Sequence, residues 1–387
     1  MRSNVVAYTS ECTFSLFIPI GNRILTIPKY KLRNILRNMK HSKLLIAALL
    51  AAMTFSACGT SDDLTFAPKQ DTNNGDNTDT DTDADNTNKN VATADMPQVV
   101  RNAIGGLEFP KLKDNGTTRT SYPIVHMDNT TGMVTYSTEW DDSKKSQRWS
   151  CYTFNTSNTA PNVSRWEPDI NSGERQYPWD TDLQEQWGIT DFTEDPTPTT
   201  QGFDHGHICP SADKKLNLTQ QKQTFFMTNM QPQYSNFNQK GTWYNMESQL
   251  RTFAPKINTD TLFIVKGGTI DQVGSESNIL GWKKNGASSD TQLDGYVPIP
   301  KYFFVAVLKK EYNSSTNSYS YSAFGYWFPH ENKAFDSKND KLSNYVVNIK
   351  TLEANTGIDF FCNLPDNIEK QVEETDVQAI KNIWGFK

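Results

Sequence analysis

The sequence predicts an α+β domain, a mostly antiparallel sheet core flanked by helices, preceded by a long segment without globular character. Three observations carry this. Six runs alternate or are rich in aromatic and β-branched residues; helical spacing is confined to a few stretches between and after them; residues before about 97 show neither pattern. The chain has 387 residues, only 36% of them hydrophobic, with 18 Pro and 21 Gly. That length exceeds what one core usually serves, so one large domain plus unstructured sequence is expected in preference to two compact domains.

In chain order, strands are expected at 121–127, 131–138, 147–154, 261–267, 302–309 and 319–327. The last two flank a polar stretch from Asn313 to Asn317 that reads as a hairpin loop. Trp243, Met246, Leu250 and Phe253 recur at helical spacing, which predicts a helix over 242–253 with one buried stripe. A shorter helix contains Ile349, Leu352 and Glu353 and is closed by Gly357. No internal repeat is evident.

Charge divides the chain into three parts. Residues 1–57 carry 8 Lys and Arg against 1 Asp and Glu, residues 58–100 carry 2 against 9, and residues 101–387 carry 28 against 34. From residue 58 onward the net charge is −13, so long-range attraction to phosphate is absent. A nucleic-acid binder of this charge needs a local basic patch or a metal ion. Aromatic residues make up 12% of the chain, too many for a disordered protein. The one strongly apolar run, Leu44 to Met53, is shorter than the roughly 20 residues of a membrane span, which excludes a polytopic membrane protein.

The amino-terminal part reads as an address. From Met39 a positive stretch with Lys40 and Lys43 leads into the apolar run and then into Ser56, Ala57 and Cys58. This is the order of a bacterial lipoprotein signal peptide over 39–57, with Cys58 as the lipidated first residue of the mature chain. Residues 1–38, with Pro19 and Pro28, carry no targeting logic and read as a start placed too early. Residues 58–96 are acidic and of low complexity, a flexible tether, and 97–387 form the folded domain. Asp62 and Asp63 resemble the acidic export tag of surface lipoproteins, so the expected location is the outer membrane, surface-exposed or periplasmic. Of Cys151, Cys209 and Cys362 two can pair in an oxidising compartment, leaving at least one free thiol.

Outside the signal peptide there are only four histidines, and two of them lie in Asp204, His205, Gly206 and His207. If the stretch is extended, positions 205 and 207 share a face and Gly206 permits close approach of a second strand. Taken singly, His205 suits a protein surface and His207 a core imidazole. Two on one face beside an aspartate make chemistry the better reading. Downstream come Asn229, Met230 and Gln231 with Pro232 and Gln233, then Asn238, then Trp243 and Glu247. Asn238 suits a helix cap, and equally a neutral oxygen ligand for Mg²⁺. Glu247 borders the buried stripe of its helix.

This ordered set resembles the sugar-non-specific DNA/RNA endonucleases with a ββα-metal active site, the group that includes the Serratia nuclease and mitochondrial endonuclease G. The matching residues are Asp204 to His207, Ala212 and Asp213, Asn229 to Gln233, Asn238, and Trp243 to Glu247, and the likeness extends from Ile124 to Asp366. The resemblance implies a metal-dependent, sequence-independent endonuclease acting on DNA and RNA. It implies His207 as general base, Asn238 as the sole protein ligand of Mg²⁺, with Mn²⁺ as a substitute, Asn229 as the residue orienting base and water, and Glu247 as an acceptor for waters on the metal. Arg165 is placed like the phosphate-clamping arginine, and Lys214 is a further candidate for holding phosphate. His205 stands where the family pattern has arginine, and one extra residue separates Asn238 from Glu247. Two other readings compete: a zinc hydrolase built on His205 and His207 with a third ligand from His126, His330 or Asp204, and an inactive lipoprotein of the same fold.

Overall fold

The computed structural model describes residues 7–10, 13–16, 25–28, 86–113, 119–190, 202–284 and 287–386. The chain forms two units, Met1–Leu64 and Thr65–Lys387. In the first, β1 (Ala7–Ser10), β2 (Thr13–Leu16) and β3 (Leu25–Pro28) form an antiparallel sheet, within the segment read as an early start. The expected signal peptide, Cys58 and the tether as far as residue 85 lie outside the described residues. No helix among the described residues is long and apolar enough to cross a membrane.

The second unit is built on a seven-stranded antiparallel sheet, ordered β15-β14-β13-β9-β6-β5-β4. Its members are β4 (Ser121–Asp128), β5 (Met133–Asp141), β6 (Ser146–Phe154), β9 (Thr261–Gly268), β13 (Tyr302–Asn313), β14 (Ser318–Pro329) and β15 (Val346–Val347). Side chains alternate across a strand, and here both faces are covered. On β13, Phe304, Ala306 and Leu308 enter one core while Phe303, Val305 and Val307 enter the other. The first core is closed by α1 (Gln98–Ala103), α6 (Ile349–Thr356) and α7 (Asp366–Glu373), through Val100, Leu352 and Val372. The second is closed by α5 (Thr242–Thr252) and α8 (Val377–Trp384), through Trp243, Met246, Leu250, Ile380 and Trp384. The α+β class expected from the sequence holds, as does the hairpin turn at 313–317.

Several helices start where a side chain accepts from their first amides. Asn348 accepts from the Thr351 amide at the start of α6, and Gly357, at φ +68°, takes the left-handed conformation that ends it. Asp180 accepts from the amides of Asp182 and Leu183 to begin α2 (Thr181–Trp187), and Asn217 from the Gln220 amide to begin α3 (Leu218–Gln223). A smaller sheet of β10 (Ile279–Lys284), β11 (Ala287–Ser289) and β12 (Val297–Pro300) was not expected from the sequence.

One expectation is corrected. The folded unit begins before residue 97: Asn86 donates to the Leu364 carbonyl at 2.6 Å, Thr87 to Asp366, Asn88 to Asp359 and Glu369, and Asn90 to the Pro110 carbonyl. These polar side chains fasten the segment by hydrogen bonds, with no apolar periodicity to announce it. Cys151, Cys209 and Cys362 are all buried free thiols, with no disulfide among them.

Candidate active site

Beside the main sheet, β7 (Phe203–His207) and β8 (Met230–Tyr234) pair antiparallel, Asp204 opposite Gln233 and His207 opposite Met230. The chain then enters α4 (Ser235–Lys240) directly and turns at Gly241 into α5. Gly206 allows the two strands to close: a Cβ there would stand 2.2 Å from Cδ of Gln233. The strand pair is tied to the main sheet by Gln231, whose amide donates to the Gln147 carbonyl at 3.0 Å and accepts from the Gly268 amide at 2.7 Å.

His205 and His207 share a face, and both meet Tyr177. His205 stacks on its ring at 3.8 Å between centroids, and His207 approaches at 6.4 Å with its ring steeply inclined. His207 also stands edge-on to Phe225 at 4.9 Å. One ring nitrogen of His207 bonds the His205 backbone, and the other, Nε2, has no hydrogen-bond partner among the described residues. This arrangement makes Nδ1 the donor to the carbonyl and leaves Nε2 with a bare lone pair. Burial, reinforced by the nearby Arg165 guanidinium, pulls the imidazole's pKa down to about 3, so the ring is neutral at physiological pH.

Asn238, on α4, donates through Nδ2 to Asp204 at 2.9 Å. Asp204 also accepts from Gln239 at 2.8 Å and from the Ser235 hydroxyl at 2.8 Å. The carboxylate thereby fixes which way the Asn238 amide faces. The side-chain oxygen, which accepts no hydrogen bond among the described residues, is left for a ligand. A neutral amide oxygen suits a hard divalent cation that keeps most of its waters, so the residues present fit Mg²⁺.

Glu247 lines the same cleft from α5, with Lys266 at 3.1 Å from one oxygen and Arg251 at 3.5 Å from the other. Burial raises its carboxyl pKa, Lys266 opposing and Asp213 adding to the rise. Arg165 is exposed at the cleft, packed over the Phe225 ring at 4.7 Å with one nitrogen 2.5 Å from the Ser211 hydroxyl. The cleft is open and holds about 430 Å³. His207, His205, Asn238, Glu247 and Arg165 thus come together, including the arginine that only a loop alignment had suggested.

Asn229 and Lys214 are placed differently from expectation. Asn229 is fully buried, and its amide is spent on the Cys209 amide at 2.9 Å and the carbonyls of Cys209 and Thr224 at 2.8 and 2.7 Å. It positions the loop behind His207 and has no polar atom left for a water network. Lys214 is 1% exposed with its ammonium over the Tyr152 ring at 4.8 Å, so it does not touch phosphate in this conformation. Its reading as a phosphate contact is therefore corrected. His205, 7% exposed and stacked on Tyr177, lines the cleft beside His207.

The geometry removes the zinc reading. His330 has Nε2 bonded to the Tyr234 amide at 2.8 Å and Nδ1 against the Pro300 carbonyl at 2.8 Å, and His126 is paired with Asp180 at 2.9 Å. Among the described residues, ligand atoms gather in threes only at His126, Asp180 and Asp182 and at Glu353, Asp359 and Glu373, neither of which includes His205 or His207. The sequence analysis missed Tyr177, Phe225 and Lys266. The first two lie in loops without periodicity, and Lys266 sits in an apolar strand where its charge gave no hint of direction.

Comparison with known proteins shows the family of the chain. The profile of the family described as DNA/RNA non-specific endonuclease matches residues 114–367. The mitochondrial Nuclease 1 of Schizosaccharomyces pombe is 26% identical over 176 residues, 44% of this chain and 50% of that protein. Nuclease C1 of Cunninghamella echinulata is 28% identical over 165 residues, covering 41% and 57%. A nuclease of Nostoc sp. is 28% identical over 244 residues, covering 62% and 75%. The chain thus spans about half the length of the first two relatives.

Proposed function

Because the chain belongs to the DNA/RNA non-specific endonuclease family, we propose that it hydrolyses phosphodiester bonds of DNA and RNA regardless of sequence. His207 acts as general base, and Asn238 holds a divalent cation, Mg²⁺ or in its place Mn²⁺. The observation that carries the reading is the unpartnered, neutral Nε2 of His207 in the same cleft as an amide oriented by Asp204.

Nε2 takes a proton from water in the cleft as that water attacks phosphorus, while Nδ1 keeps its bond to the His205 carbonyl and holds the ring in one tautomer. Arg165 binds a non-bridging phosphate oxygen and offsets its charge. Glu247, its own charge offset by Lys266 and Arg251, accepts hydrogen bonds from water between itself and Asn238. The bound cation supplies positive charge against the anionic transition state and the leaving oxygen. None of these groups is placed to read a base edge, which supports sequence-independent cleavage. The test is incubation with supercoiled plasmid and with RNA, with Mg²⁺ and with EDTA. Intact substrate in Mg²⁺, or cleavage that EDTA leaves unchanged, overturns the assignment.

We further propose that Cys58 carries a lipid and that the residues after it hold the enzyme off an outer membrane. Support comes from the order of Lys40, the run Leu44 to Met53, and Ser56 and Ala57 before the cysteine. Cys58→Ala should give a precursor that takes up no acyl label and leaves the membrane fraction. Equal labelling of the variant would end this part of the proposal.

A further inference from the structure

One helical turn before Glu247, Tyr244 projects from α5 into the same cleft as Asn238, His207 and Arg165. Its packing is unlike that of its neighbours. Trp243, Met246 and Leu250 supply the buried stripe of the helix, so the core has no use for an aromatic ring at 244. The residue is 52% exposed, and its side chain makes no hydrogen bond, ring contact or cation contact among the described residues. Of the large exposed apolar side chains described, it alone lines this cleft. An aromatic ring left bare beside a phosphate-cleaving constellation has one chemical partner of matching shape, a nucleobase.

We propose that Tyr244 is the stacking platform for an unpaired base flanking the scissile phosphate, and that it biases the enzyme toward unstacked single strands. The proposal rests on the nuclease reading of the same site. Every base offers a π-face, so stacking adds affinity without sequence preference. It also supplies attraction that charge does not, since the exposed cation described at the cleft is Arg165 and the chain as a whole is acidic. In a duplex the same base is paired and stacked already, and bringing it onto Tyr244 requires extrusion from the helix. Single-stranded DNA or RNA meets no such cost.

The experiment uses the full chain and a short single-stranded oligonucleotide carrying 2-aminopurine, whose fluorescence is quenched by stacking. In EDTA, where cleavage is stopped, the wild-type protein should quench the probe on binding. Tyr244→Phe should keep the quenching; Tyr244→Ala should lose it and bind about tenfold more weakly. In Mg²⁺, the ratio of kcat/KM for single strand over duplex should fall about tenfold in Tyr244→Ala and stay within twofold of wild type in Tyr244→Phe. Position 244 is exposed on a helix and alanine is a good helix former, so folding is not at stake. Quenching that survives in Tyr244→Ala, or a phenylalanine variant as impaired as the alanine one, overturns the proposal. Quenching by a wild-type protein that cleaves nothing would keep the platform and remove the nuclease reading, so the two failures are distinct.

Discussion

Asp204 decides where the Asn238 amide points, and its removal is the most direct test of the site's construction. Its carboxylate accepts from Ser235 at 2.8 Å, Asn238 at 2.9 Å and Gln239 at 2.8 Å, all three on α4. In Asp204→Ala the Ser235 and Gln239 donors return to water at little cost, because both are partly or fully exposed. The Asn238 amide loses the contact that fixes its rotation, so its oxygen is no longer held toward a cation. Loss of a group that orients a metal ligand typically lowers metal affinity 10- to 100-fold, or about 1.4 to 2.8 kcal/mol. The expected outcome is a 10- to 100-fold rise in the Mg²⁺ concentration giving half-maximal plasmid cleavage, with much of the rate recovered at saturation. Stability should fall by only about 1 kcal/mol. Half-maximal Mg²⁺ within twofold of wild type, with Mn²⁺ binding by calorimetry also unchanged, would refute the claim that Asp204 sets the ligand.

His207→Ala should lower kcat by about 10²-fold or more while leaving affinity for an oligonucleotide in EDTA nearly intact. Because the base must be unprotonated and its pKa is pulled down to about 3, the acidic limb of kcat/KM should lie far below pH 6.5, with rates flat between pH 5.5 and 8. A fall centred near pH 6.5 would contradict the buried environment described, and Arg165→Ala should move the limb upward. Asn229→Ala removes three buried hydrogen bonds and should destabilise the fold by about 3 kcal/mol in urea unfolding, more than any loss attributable to chemistry alone. Oligonucleotide binding should depend shallowly on salt. Arg165→Ala should reduce the slope by about 0.9, and Lys214→Ala, whose ammonium is buried over Tyr152, should not change it.

The strands of the main sheet were legible because each announces itself locally. Aromatic and β-branched runs placed β4, β5, β6, β9, β13 and β14 within a few residues of their observed bounds. The helix from Thr242 was legible because Trp243, Met246 and Leu250 repeat at its period. The β10–β12 sheet was not, since Gly281, Lys283 and Ser288 interrupt any alternation and its pairing depends on Val297 to Pro300 farther along the chain. The candidate site was half legible. Residue types and order pointed to His207, Asn238 and Glu247, but order says nothing about which polar atoms are already spent. Asn229 and Lys214 read as active groups in sequence and are consumed by local hydrogen bonds and a buried ring. Asp204 stood out in sequence beside His205 and His207, but its part in fixing Asn238 shows only when three donors are seen to converge on it.

On the proposed nuclease reading, the floor of the cleft explains how an acidic protein would receive phosphate. Glu247 would by itself repel a phosphodiester, and burying a carboxylate is costly unless it is paired. Here it lies in a closed network: Lys266, wholly buried on β9 and 4.5 Å above the Trp243 ring, meets one oxygen, and Arg251 meets the other. Arg251 in turn holds Asp213 at 2.7 Å, whose second oxygen accepts from the Tyr152 hydroxyl at 2.9 Å. Two cations against two carboxylates leave the floor without formal net charge, while Glu247 keeps its capacity to accept hydrogen bonds from water. The unbalanced charge facing the substrate is then Arg165 at the rim together with whatever cation Asn238 holds. Removing Lys266 or Arg251 alone would return a negative charge to the floor, and removing Arg251 would also leave Asp213 with only the Tyr152 hydroxyl as partner among the described residues. On that reading attraction to phosphate would be local to the cleft, and the acidity of the rest of the chain would not oppose it at contact distance.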